Sequence, residues 1–161
     1  MPGLSYDVGL ITYQYPGNNS GDAGTPGAAL YSKADTTEIY GAVSYNVFTL
    51  KYSQSMGDFL GNLNSNASRY WDLSANFDLG KGFALTPHIG RQTVPNQTST
   101  TVTGNAAEYT DYSLALAKDF GNGLVLSATA IATNADQTFY TDSKGKFLGR
   151  SVTTVGLKYT F

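Results

Sequence analysis

Apolar and polar residues alternate with a period of two along most of this chain. The last eleven residues, SVTTVGLKYTF at 151–161, show it most cleanly. Val155, Leu157, Tyr159 and Phe161 fall on one face of an extended strand, and Thr154, Gly156, Lys158 and Thr160 on the other. The same alternation predicts eight strands, at 4–15, 36–46, 48–55, 69–79, 82–93, 109–120, 124–133 and 150–161. A spacing of three or four, which a helix needs, is absent.

The connections alternate as well. Asn46-Val47, Leu79-Gly80-Lys81-Gly82 and Phe120-Gly121-Asn122-Gly123 read as tight turns. Segments 16–35, 56–68, 94–108 and 134–149 read as long polar loops with the composition of mobile surface chain. An up-and-down barrel with short turns at one end and long loops at the other has this order. A β-sandwich does not require it.

The two faces differ in chemistry. One carries Tyr6, Val8, Leu10, Ile39, Val43, Leu50, Tyr52, Leu73, Ile89, Leu114, Leu116 and Leu126. The other carries Asp7, Glu38, Tyr40, Lys51, Asp72, His88, Gln92, Asp111 and Lys158, with Ser44, Thr49, Ser53, Ser74 and Ser113 among them. In a soluble barrel the rings of Trp71, Phe77, Tyr112 and Tyr159 would have to fill the interior. An eight-stranded lumen is only wide enough for ordinary side chains. With the apolar face outward the rings form girdles instead. Tyr45, Phe48, Phe77, Phe83, Phe120 and Phe161 lie at the short-turn ends, with Tyr159 beside them. Tyr15, Trp71, Tyr109 and Tyr112 lie towards the long-loop ends. The expected fold is all-β: an eight-stranded antiparallel up-and-down transmembrane β-barrel, one domain over 1–161.

Composition agrees. Only 14% of residues are charged, against about 25% in ordinary soluble domains, while 12 Tyr, 8 Phe and 1 Trp supply rings. No run approaches the roughly 20 apolar residues of a membrane-spanning helix. Cysteine is absent, which excludes disulfides and thiolate metal sites, and a net charge of -2 argues against nucleic acid as a partner. Met1-Pro2-Gly3 leads straight into a strand, with neither a charged nor an apolar leader region, which says nothing about location.

Several stretches resemble the TorF-type outer-membrane proteins of bacteria, the "Gcw" conserved hypothetical family. They are GLSYDVGLITYQYPG at 3–17, TTEIYGAVSYNVFTLKYS at 36–53, YWDLSANFDLGKG at 70–82, EYTDYSLALAKDFGNG at 108–123 and TDSKGK at 141–146. The resemblance covers most of the chain and consists of strand patterns rather than chemical signatures. It implies fold and location, not an activity. Family members carry further strands ahead of the segment resembling 4–15. The resemblance therefore implies a naturally shorter relative, or a shortened or engineered barrel. The terminal strand also resembles the C-terminal signature read by the outer-membrane assembly machinery.

Candidate chemistry is sparse. His88, the single histidine, stands on the polar face with Ser74, Ser113, Asp72 and Asp111, the residue types of a lipid hydrolase or acyltransferase. No G-x-S-x-G motif accompanies them. The lumen charges read first as an internal hydrogen-bonded ion-pair network, and second as the lining of a narrow cation-preferring pore. The N-x-[ST] triplets at Asn18, Asn66 and Asn96 and the loop aspartates Asp35, Asp136 and Asp142 carry no regular spacing. The loop rings Tyr31, Phe139, Tyr140 and Phe147 are candidates for packing on the rim or touching lipopolysaccharide. The expectation is a non-enzymatic structural or scaffold protein of the bacterial outer membrane with a largely filled lumen, the alternative being a small pore for ions or solutes. It has no cofactor or metal. Its partners are the lipid bilayer, lipopolysaccharide or detergent and the assembly machinery, and it is a monomer.

Overall fold

In a computed structural model, described for residues 3–18 and 32–161, one antiparallel sheet runs through the chain and no described residue is helical. Its strands are β1 (Leu4–Tyr13), β2 (Thr36–Tyr45), β3 (Phe48–Ser55), β4 (Arg69–Ala75), β5 (Phe77–Gly80), β6 (Phe83–Thr93), β7 (Tyr109–Asp119), β8 (Leu124–Thr133) and β9 (Val152–Tyr159). Each pairs with its neighbour in chain order, except that β4 and β5 both pair with β6. Tight turns make the short connections. Asn46, for example, takes a φ of 54° between the paired Tyr45 and Phe48, a left-handed conformation that asparagine tolerates better than most residues.

Two expectations change. The strand expected at 69–79 is two strands, because the ladder to β6 breaks between Ser74↔His88 and Phe77↔Leu85. The residue opposite the break is Pro87, which has no N–H to give. On its other side Pro87 keeps its place in an unbroken ladder, paired with Leu114 of β7. The missing donor therefore faces Ala75. The second change is that the sheet is open: β1 and β9 are its edges and do not touch. Every other ladder joins strands next to each other in the chain or, for β4 and β6, separated only by the four-residue strand β5. The closing ladder alone would join the two ends of the chain, at the largest loop-closure cost.

Burial is inverted relative to a water-soluble domain. Tyr6 is 85% exposed, Val155 75% and Leu157 71%. The buried polar side chains include Thr36, Ser53, Ser55, Ser65, Ser68 and Gln92. The few buried apolar residues, Val94, Ala106 and Ala107 among them, lie mainly in the connections rather than between sheet faces.

Three of the long connections are packed against one another, contrary to their mobile composition. Asn96 Nδ2 donates to Asn64 O at 2.8 Å and Gln97 Nε2 to Leu63 O at 3.0 Å, tying 94–108 to 56–68. Tyr140 donates to Ala107 O at 2.7 Å, tying 134–151 to the same cap. Backbone carbonyls that loop composition would leave to water are paired by side chains instead. Tyr31 lies outside the described residues.

Candidate functional site

Register places one polar row directly above another on the concave, polar face. Ser74, His88 and Ser113 lie side by side on β4, β6 and β7. One pair nearer the long loops, Asp72 and Asp111 flank Gly90. His88 thus lies between two carboxylates, Nε2 at 3.4 Å from Asp72 Oδ2 and Nδ1 at 3.5 Å from Asp111 Oδ1.

Tyr70 completes this group. From β4 its hydroxyl reaches over β6 to Asp111 on β7, at 3.1 and 3.0 Å from the two carboxylate oxygens, and lies 3.4 Å from His88 Nε2. The path passes over Gly90, where a Cβ would strike both the Tyr70 hydroxyl and the Asp111 carboxylate. A similar pairing recurs at the sheet edge. Tyr40 of β2 covers Gly9 of β1, where a Cβ would come within 2.8 Å of its ring, and donates to Asp7 at 3.1 Å. An aromatic ring over a strand glycine shields backbone that would otherwise be bare.

The polar network expected from the sequence is therefore divided. Asp72, His88 and Asp111 form one group, braced by Tyr70. Asp7 and Tyr40 form another, with Lys51 Nζ 4.4 Å from the centre of the Tyr40 ring. Glu38 lies opposite Ser55. Gln92, 6% exposed, lies between Tyr70 and Tyr109 and donates to Thr93 O at 3.3 Å. Lys158 stands apart, exposed on edge strand β9 opposite Val125. Near the long loops these residues enclose a cavity of about 260 Å³, walled by Glu38, Lys51, Asp72 and Gln92 and by the rings of Tyr13, Phe59, Tyr70 and Tyr109. A second, of about 390 Å³, lies beyond Tyr70 and Tyr109 towards Tyr140 and Arg150. Among the described residues no group of three histidines or carboxylates is arranged to hold a metal ion.

A family model described as "Bacterial protein of unknown function (Gcw_chp)" matches residues 1–161. The chain belongs to the Gcw_chp family. Neither the curated proteins nor the solved structures contain a match.

In this Gcw_chp protein Ser74 and Ser113 do flank His88, as a hydrolase would need. Yet both ring nitrogens face carboxylates, and neither serine hydrogen-bonds to the ring. The nucleophile–base contact of an acyl-transfer site is missing. The opposite face carries the rings. Phe48 and Phe77 meet edge to face at 6.3 Å, while Tyr52 and Trp71 at 4.6 Å, and Tyr159 and Phe161 at 6.4 Å, are tilted pairs. Tyr45, Phe83, Tyr112 and Phe120 are 40–54% exposed. Lys118 Nζ lies over Phe83 and Phe120, at 4.7 and 5.7 Å from their centres. Tyr109, expected in the long-loop girdle, instead faces the polar side, in register with Gln92. Sequence reasoning missed Tyr70, although it follows the alternation of Asp72. It also missed Tyr13 and Phe59. Gly90, small on a face of large polar residues, was the available signal for the crossing.

Proposed function

We propose that this Gcw_chp protein is a monomeric β-barrel of the bacterial outer membrane, of the TorF type, with a structural role and a lumen blocked by its own side chains. The observation that carries the proposal is the inverted burial, with large apolar residues bare on one face and serine, threonine and glutamine buried on the other. In water that arrangement exposes the wrong surface. In hydrocarbon it is the stable one. Strands β1, β2, β6, β7 and β8 have 10 or 11 residues, the length a strand tilted by about 45° needs to cross a bilayer. Unpaired backbone at a sheet edge cannot face lipid, so membrane insertion requires β1 and β9 to pair. They run antiparallel, as that closure demands. Aromatic Tyr159 and Phe161 then meet the interface next to the short turns, where the assembly machinery reads the final strand. The long-loop cap lies on the outside, against lipopolysaccharide. The Tyr70–Asp111–His88–Asp72 group, on the adjacent strands β4, β6 and β7, forms part of its plug.

The test is gel mobility of unboiled and boiled samples refolded in detergent. A closed barrel runs at two positions. Equal mobility, together with folding in plain buffer, would overturn the proposal. The cavities of 260 and 390 Å³ favour a second reading, a small pore, which steady single-channel current in planar bilayers would establish over the plug.

A further inference from the structure

The cavity bounded by Glu38 and Lys51 has features that a mere plug does not need. It holds charges of both signs: Lys51 faces Asp72 across the β3–β4 ladder, and Glu38 projects from β2. No ion pair joins Lys51 to either carboxylate; its ammonium lies over the Tyr40 ring, while His88 approaches Asp72. Charges in a low-dielectric interior demand partners, and here both signs face one space. The uncharged wall is aromatic, from Tyr13, Phe59, Tyr70 and Tyr109, with Gln92 supplying an amide. A volume of about 260 Å³ lies just under the roughly 300 Å³ at which ligand pockets usually begin.

We propose that this cavity binds a small zwitterion of amino-acid size. Glu38 receives its ammonium, Lys51 its carboxylate, and the tyrosine and phenylalanine rings its apolar side chain. A zwitterion presents an opposite charge to Lys51 and to Glu38 at once, which neither a lone cation nor a lone anion does. The proposal deepens the blocked-lumen reading and rests on it, since the cavity then lies on the loop side of the plug. Nothing is transformed in it.

Titration calorimetry with L-leucine, 3-methylbutylamine and 4-methylpentanoate tests the assignment, because the last two each lack one charge of the first. The full chain is used in whichever medium, detergent or plain buffer, gives the β-sheet circular dichroism of the folded protein. Leucine should bind, and both analogues should bind about tenfold more weakly, the scale of one lost charge-assisted contact. Glu38→Gln should weaken leucine and the amine but not the acid. Lys51→Met should weaken leucine and the acid but not the amine. Absence of leucine binding to folded protein overturns the site. An amine that binds as tightly as leucine overturns the zwitterion. Variants that weaken all three ligands equally overturn the assigned roles. Gel mobility reads the barrel separately, so loss of binding with intact heat-shifted mobility counts against this site alone.

Discussion

Gly90→Ala tests whether Tyr70 reaches Asp111 only because β6 offers no side chain beneath it. The added Cβ collides with the Tyr70 hydroxyl and the Asp111 carboxylate. Both are the ends of rotatable side chains, so the backbone need not move. Tyr70 swings away and its bond to Asp111 is lost. Hydrogen bonds to charged groups contribute about 1.5–3 kcal/mol. Asp111 keeps 21% side-chain exposure, so solvent screening favours the lower half of that range. Alanine is better than glycine in a strand by about 0.5–1 kcal/mol. The single substitution should therefore destabilise by about 1 kcal/mol, and Tyr70→Phe, which deletes the same bond without the strand gain, by about 2 kcal/mol. Because both remove one interaction, the double variant should be no less stable than Tyr70→Phe alone. The coupling energy is then at least about 1 kcal/mol. Urea unfolding in detergent, followed by circular dichroism, measures all four corners of the cycle. Additive losses, with coupling under about 0.3 kcal/mol, would refute the crossing.

Three further outcomes follow from the same structure. Pro87→Ala supplies the N–H that β6 lacks opposite Ala75, and amide exchange at residues 75–77 should slow, whereas unchanged exchange would remove proline as the cause of the break. Trp71, 47% exposed on the apolar face, should be quenched by brominated acyl chains in vesicles, and quenching only by aqueous iodide would put that face in water. Asp136 accepts from the Phe139 amide at 2.7 Å and from Thr101 at 3.1 Å, and the Phe139 bond above all holds its carboxyl below the ordinary aspartate range. The readout is the protection of the Phe139 amide relative to its intrinsic exchange rate at each pH. A depressed folded value stabilises the loop contact fully above the ordinary aspartate pKa and loses that contribution as pH falls through the folded value, so acid should lower the protection of the Phe139 amide in the wild type and leave that protection unchanged in Asp136→Asn.

Alternation alone made the two faces legible. Trp71 and Leu73 against Asp72 and Ser74 already separate an apolar side from a polar one, and the register bears this out pair by pair. The break in β4 was hidden because a strand proline costs a ladder bond only on the side its nitrogen faces, and pattern does not give that side. The loop cap was hidden for a different reason. Polar residues that look fit for solvent, such as Asn96 and Gln97, spend their amides on the carbonyls of another loop. Tyr109 was misplaced because its position near a strand end suggested a girdle, whereas parity with Asp111 on the same strand puts it on the polar side.

Parity also explains why the polar group could form. Cross-strand pairs in one register put Asp72, Gly90 and Asp111 in a single row, and two carboxylates so placed repel unless something lies between them. A side chain on residue 90 would fill that space. Its absence admits the Tyr70 hydroxyl, while His88 approaches both acids from the next row. Strand number and alternation can thus be kept by many sequences, but this brace requires glycine at one position and tyrosine at another on the same face. Substitutions elsewhere on the polar face, such as Ser113→Ala, should leave the brace standing because no bond to it is made by that serine, and Gly90 is where the arrangement is most narrowly determined.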